Sequence, residues 1–401
     1  MLTQEENDRL SLVGPGTPMG TLLRRYWHPI AGVAEFAAEP VQPVKLLGED
    51  LTLFRTSRGD YGLVAQRCAH RALSLAYGIP QENGLRCAYH GWTYDTKGQV
   101  IDMPFEPACL PLAITAYQVQ ELCGAIWAYL GPEPAPLLPR WDLLVQENVR
   151  KDIRTDVLPC NWLQCVDNTL DPVHFEHLHG TYGNYMMKRL GRGRMMNPAR
   201  TVRIDFDIYK YGMYKRRLVE GEPEDSPDWI LGHPIIFPHI LVVPRARGES
   251  SLVYRVPMDD THTLSFIITA SDLKPGESTD DDIPVVHDPL EYDALGRVVA
   301  THIPRQDELA FIGQGPIADR TAEHLGTSDS GLVTFRRMIF ENLERVERGE
   351  DPIAVIRDPA ENLPFISLAR GTQRAGFHEG VPADEWGGID ALRVSGMSER
   401  S

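Results

Sequence analysis

The chain has 401 residues, with 40 Lys and Arg against 56 Asp and Glu, giving a formal charge of −16. That length suggests two or three domains, and the acidic excess argues against a nucleic-acid-binding face and against a polybasic membrane anchor. Apolar runs such as Ile240-Leu241-Val242-Val243 are far short of the roughly 20 residues a spanning helix needs. The first residues, Met1 to Asn7, are polar rather than a basic patch followed by an apolar stretch. Six cysteines are too few for a disulfide scaffold. The chain reads as a cytoplasmic enzyme whose cysteines are buried thiols or metal ligands.

In chain order, Thr17-Pro18 predicts the start of a short helix carrying Leu22, Leu23 and Tyr26 within an N-terminal helical segment, 1–40. From residue 41 the pattern becomes strands. Lys45-Leu46-Leu47 and Leu51-Thr52-Leu53-Phe54 flank a turn, and Gly62–Ala65 and Ala125–Tyr129 follow. Residues 41–150 are expected to form a small all-β domain, closed by the proline-rich stretch 132–139. The remainder, 151–401, reads as α+β. Residues 160–185 are expected to be helical, 202–208 alternate as a strand, and 252–256 with 264–268 make a hairpin. Residues 274–297 read as acidic loop. Leu332, Phe335, Ile339, Leu343 and Val346 share one helical face, stopped by Gly349.

Two short loops carry the first chemistry. Cys68-Ala69-His70 and Cys87-Ala88-Tyr89-His90 each offer one thiolate and one imidazole. A finger-type zinc site groups its cysteines before its histidines. Mixed Cys–His loops suit a Rieske [2Fe–2S] cluster, in which one iron takes two cysteines and the other two histidines. With Arg71 after the first loop and Gly91-Trp92 after the second, the chain resembles the Rieske non-heme iron oxygenases. The cluster ligands are then Cys68, His70, Cys87 and His90. Cys109, Cys123, Cys160 and Cys165 are expected to be inert buried thiols.

A second constellation lies in Asp171-Pro172-Val173-His174-Phe175-Glu176-His177-Leu178-His179. Two histidines and a carboxylate on one face of Fe(II) leave positions open for O2 and substrate. Regular helical spacing favours His174 with His177. The family pattern, Asp-x2-His-x4-His, instead selects Asp171, His174 and His179, and unwinding of the helix near Gly180 would reconcile the spacing. The resemblance implies a catalytic role for Asp171 as a carboxylate bridging His174 to His90 of a neighbouring subunit; a helix cap is the plainer alternative. It also implies a carboxylate ligand before a C-terminal helical stretch. Asp307, in Arg305-Gln306-Asp307-Glu308, fits; Asp319 is the weaker choice and a partner for Arg320 or Arg336.

The resemblance runs from Gly14 to about Ile356. It implies a Rieske domain followed by a catalytic domain with a curved antiparallel sheet of helix-grip type. It further implies a homotrimer or a multiple of one, and a separate NADH-dependent reductase carrying FMN and a plant-type [2Fe–2S] cluster. The stretch around Gly315–Thr321 and His324–Asp329 is similar to the phthalate-dioxygenase branch. The Lys215-Arg216-Arg217 run and His233–Pro238 are more like aryl O-demethylases. Lys215, Arg216, Arg217, His233 and Phe237 are therefore the candidate substrate contacts. The expected reaction is O2-dependent O-demethylation of a methoxylated aromatic acid. The alternatives are cis-dihydroxylation of an aromatic carboxylate and, from another class, electron transfer by a Rieske ferredoxin.

Overall fold

The computed structural model describes residues 1–191, 200–245, 249–274, 276–279, 282–368 and 392–394. Leu47 and Gly48, with φ of 49° and 78°, close the first hairpin, Val41–Leu46 with Glu49–Arg55. A positive φ at both central residues matches the turn to the strand twist. This hairpin is one edge of a six-stranded antiparallel sheet that continues through Tyr61–Ala65, Ala116–Leu122 and Ala125–Tyr129. The far edge is Trp27–Gly32, paired with Ala125–Tyr129. The expected helical segment thus holds the helices Gln4–Ser11 and Pro18–Leu23 and also a fully buried strand, whose Trp-His-Pro-Ile-Ala-Gly sequence lacks the alternation of a half-buried one.

A small four-stranded antiparallel sheet, Ile79–Pro80, Leu85–Arg86, Thr93–Tyr94 and Val100–Asp102, sits on the same lobe. Its core of Phe54, Val64, Leu75, Leu85, Trp92, Tyr94, Val100 and Met103 also encloses Cys68 and Cys87.

The second lobe is built on a nine-stranded sheet. Its order is Val285–His287, Val149–Leu158, Thr263–Asp272, Glu249–Pro257, Ile240–Arg245, His233–Ile236, Gly212–Val219, Thr201–Tyr209 and Leu392–Val394. Neighbours are antiparallel except the first pair. The strand Val285–His287 lies within the stretch expected to be loop. The fold is therefore an all-β lobe followed by an α+β lobe. Ser330–Glu347 is the long helix expected, with all five predicted face residues buried and Gly349 at φ 80° just beyond it. No helix among the described residues is long and apolar enough to cross a membrane.

Two buried ionic networks hold the helices that matter. Asp167, on the helix Trp162–Leu170, accepts from Arg320 at 3.0 Å and from Arg336 at 2.7 Å, and Arg336 also reaches Glu323 at 2.6 Å. Asp319 is not their partner: it accepts locally from Thr321. Arg305, opening the helix Ile303–Ile312, is clamped by Asp156 at 2.6 Å and Asp288 at 2.8 Å. Breaking one member of such a network leaves a buried charge uncompensated.

Candidate metal centres

The first centre is made by two tight loops. Cys68 N–H donates to Leu73 and Ala72 N–H returns to Cys68; Cys87 N–H donates to Trp92 and Gly91 N–H returns to Cys87. The turns need positive φ at Ala72 (55°) and Gly91 (79°). A Cβ at Gly91 would also meet the Arg86 guanidinium at 2.8 Å. Both thiols are buried, at 4% and 2% exposure, whereas His70 is exposed and His90 partly so. The two imidazoles stand 4.4 Å apart, and His70 stacks on Trp92 at 4.7 Å. Tyr94 receives the Ala69 N–H at 2.9 Å and has its hydroxyl 3.1 Å from Cys68 Sγ. Burial, reinforced by the adjacent Cys68 thiol, pushes the Cys87 thiol up. A cationic metal group is what makes two such thiols thiolates. Two buried sulfurs and two more exposed imidazoles are donors of the kinds and numbers a Rieske cluster takes.

The second centre starts from a helix break. Pro172 disfavours helical backbone at the residue before it. Asp171 is accordingly extended (φ −89°, ψ 118°) and ends the helix Trp162–Leu170. Its carboxylate then caps the next turn, accepting from Val173 N–H at 2.7 Å and His174 N–H at 3.2 Å. The chain continues as a π-helix over Phe175–Tyr182 before returning to α-helix at Gly183. This corrects the expected unwinding near Gly180: i→i+5 hydrogen bonding widens the turn and brings His174 and His179 to the same side. His179 is 1% exposed, while the His177 side chain is 60% exposed and lies beside Glu176.

Asp307, on the helix Ile303–Ile312, faces both rings. Its Oδ1 lies 3.2 Å from His179 Nε2 and 3.5 Å from His174 Nε2. The three ligand atoms fall within 4.8 Å of one another. Asp307 Oδ1 is buried without a hydrogen-bond partner, a cost of about 1–3 kcal/mol that a bound cation would remove. Burial pushes the Asp307 carboxyl up, but the two imidazoles outweigh it and hold it below the usual range. Each imidazole has a neighbour on its other edge. His174 Nδ1 is 3.6 Å from Asp171 Oδ2, just beyond hydrogen-bond length, and His179 Nδ1 is 2.9 Å from Gln306 Oε1. Asp171 thus combines the cap with the approach to His174.

The five candidate substrate contacts separate. Lys215 is half-buried beside the donor cluster, its Nζ 3.4 Å from the Asp171 carbonyl. Burial and the nearby Arg217 lower it to about 8. Arg217, on the same strand face, lies over the Phe175 ring at 4.0 Å. His233 pairs in register with Lys215 and meets Asp228 at 3.4 Å. Arg216 does not join them. Strand alternation turns it to the opposite face, where it ion-pairs with buried Asp207 and donates to Ile230 at 2.7 Å. Phe237 is likewise a core residue, packed between Tyr26 at 6.2 Å and Phe335 at 5.6 Å. Of the remaining cysteines, Cys160 and Cys165 are buried as expected, whereas Cys123 is half-buried and Cys109 exposed. Sequence reasoning missed Tyr94, Phe175, Asp228 and Gln306 as parts of these sites. Only Gln306 had a signal, its place beside Asp307.

A cluster-type Cys2His2 lobe joined to a lobe with a two-histidine, one-carboxylate cluster suits a two-centre iron oxygenase architecture. Residues 26–118 match the Rieske [2Fe-2S] domain, and residues 296–368 match the LigXa C-terminal domain like family. The chain is 42% identical to the 5,5'-dehydrodivanillate O-demethylase oxygenase subunit of Sphingobium sp. (strain NBRC 103272 / SYK-6), over 96% of this chain and 90% of that one. It is 32% identical to the phthalate 4,5-dioxygenase oxygenase subunit of Pseudomonas putida, over 88% and 89%. Among solved structures, Pseudomonas putida CBB5 NdmA QL mutant with caffeine superposes with a TM-score of 0.62 at 22% identity, covering 84% of this chain and 98% of that one, a likeness of fold. The chain belongs to the Rieske non-heme iron oxygenases. It is the terminal oxygenase of such a system, with a Rieske [2Fe–2S] cluster and a mononuclear iron as its cofactors. Its electrons come from a separate protein component.

Proposed function

We propose that the chain oxygenates a methoxylated aromatic acid and releases it as the phenol, with Cys68, His70, Cys87 and His90 holding the cluster and His174, His179 and Asp307 holding the iron. The observation that carries the substrate class is the pair of half-buried cations, Lys215 and Arg217, on the strand face beside Asp171 and Phe175. Two half-buried cations side by side in an acidic protein suit an anionic partner, and a carboxylate satisfies both through charge-assisted hydrogen bonds. His233, tied to Asp228, completes that wall. O-demethylation of the 42% identical relative favours this over the alternative, cis-dihydroxylation of an aromatic carboxylate.

The iron supplies O2 activation when bound. The residues around it hold the acid with its methoxy group toward the donor cluster. One oxygen atom enters the methyl C–H bond and the other leaves as water, consuming two electrons and two protons. The resulting hemiacetal breaks its C–O bond to give the phenol and formaldehyde. Asp171 approaches the His174 ring at 3.6 Å and, in our reading, meets His90 of a neighbouring subunit of a homotrimer. Tyr89 and Phe105 in the first lobe, and Tyr185 and Leu190 in the segment after the π-helix, are exposed apolar side chains at two different places in the chain. Unlike patches suit a head-to-tail ring rather than a two-fold dimer. The electron donor is an NADH-dependent flavin and iron–sulfur reductase.

The test is incubation of the reconstituted system with aromatic acids, their methyl ethers and the matching neutral ethers. The reading expects formaldehyde in step with phenol from the methoxylated acids. Diols without formaldehyde would establish the dihydroxylation alternative instead.

A further inference from the structure

One helix grips one imidazole on both edges. Asp307 presents its Oδ1 to His179 Nε2 at 3.2 Å, and the residue before it, Gln306, presents its Oε1 to His179 Nδ1 at 2.9 Å. Gln306 is 1% exposed and His179 is 1% exposed, so neither atom can exchange its partner for water without opening the core. The helix is itself fixed by Arg305, bound through Asp156, Asp288 and the Asp288 and Pro289 carbonyls. Gln306 therefore cannot drift relative to the ring.

A neutral imidazole carries one N–H and one lone pair. To ligate through Nε2 it must keep its proton on Nδ1, and a buried Nδ1–H needs an acceptor. The only acceptor that the described structure places on that atom is the Gln306 amide oxygen. We infer that Gln306 is a positioning residue for the iron, fixing the Nδ1–H tautomer and the ring plane of His179. The inference rests on the reading of His174, His179 and Asp307 as the iron ligands.

The chemistry also accounts for an amide at this position. The other imidazole, His174, has a carboxylate behind it, Asp171 at 3.6 Å. A second carboxylate at 306 would add another buried anion to a site that already contains Asp307. The amide supplies the acceptor without the charge. The two ligating rings are thus backed unequally, one by an anion and one by a neutral carbonyl. A carboxylate behind a ligating imidazole raises its basicity more than an amide does.

The test uses the full chain with its cluster intact. The mononuclear site is emptied by chelation and titrated anaerobically with Fe(II) alone, while far-UV circular dichroism and the melting temperature report that the α+β lobe is folded and the visible spectrum that the cluster is intact. Gln306→Leu removes the acceptor at similar volume, and Gln306→Glu keeps it. The expected result is Fe(II) binding weakened about 10- to 100-fold in Gln306→Leu, with Gln306→Glu at least as tight as the parent. Equal weakening in both variants, or none in Gln306→Leu, overturns the inference. If Gln306→Leu does not fold, Gln306→Glu decides alone: weakened binding in a chain with the parent's melting temperature and a normal cluster overturns it. His179→Ala run in parallel separates the two levels, because retention of Fe(II) by that variant would refute the ligand assignment itself rather than the role of Gln306.

Discussion

The two centres are built by opposite routes. The proposed cluster donors come from two short loops on one lobe, with thiols buried, imidazoles more exposed, and each loop closed by its own backbone hydrogen bonds. The proposed iron donors come from two segments distant in sequence, the π-helical one and the helix opened by a clamped arginine, in a cluster where His179 alone is fully buried. A site made of local loops tolerates change elsewhere in the fold. A site assembled at the meeting of helices is sensitive to whatever fixes their relative placement.

That contrast orders the expected effects. Cys87→Ser removes a ligand from a two-sulfur set, so the red-brown colour and turnover should vanish together; an absorption spectrum of the purified variant checks this, and surviving colour would sink the cluster assignment. Asp171→Asn should leave both metals bound and the cluster reducible, yet lower product formation at least tenfold, the lower end of losses seen when the group behind a ligand is changed. Were Asp171 a cap alone, the variant would lose about 1 kcal/mol of stability with turnover nearly unchanged. Melting temperature and turnover on one preparation distinguish the two.

Lys215 gives a smaller, pH-dependent effect. With its ammonium lowered to about 8, the affinity for an anionic substrate should fall as pH rises through that value, raising KM several-fold. Lys215→Met should have a high KM with no such dependence. The same group affects stability with a defined sign. Its folded value lies below the ordinary 10.5, so the unfolded chain binds more protons between about pH 8 and 10.5, and stability rises with pH across that window. Below pH 8 the half-buried charge is carried at a cost to the folded state. Denaturant titrations should therefore find Lys215→Met more stable than the parent at pH 7, with the gap closing by pH 10.5. The smallest effect belongs to exposed Cys109: Cys109→Ser should change neither colour nor turnover.

How much of this was legible in the sequence follows the same division. The Cys68–His70 and Cys87–His90 loops could be read directly because their donors are neighbours along the chain. The β and α+β halves were also readable, from alternation and from the face of 330–347. The strand Trp27–Gly32 was not, since full burial removes the polar half of the pattern. His177 and His179 could not be separated by spacing, because the usual helical period does not hold in a π-helix. Lys215-Arg216-Arg217 showed that one residue must turn away from its neighbours but not which parity faces the site. Arg216 is decided by Asp207, a pairing across strands. Phe237 had no alternation to place it and belongs to the core. Gln306 reads as an ordinary helix residue until the His179 ring is brought against it.

The account turns on the π-helix placing His179, and not His177, at the iron. The most direct measurement is iron per chain in His179→Ala and His177→Ala, with the Rieske spectrum of each as the internal reference. The account predicts that His179→Ala loses about one iron per chain with its cluster spectrum unchanged, while His177→Ala keeps the full iron content and most activity. Loss of that iron from His177→Ala, with retention in His179→Ala, would contradict it.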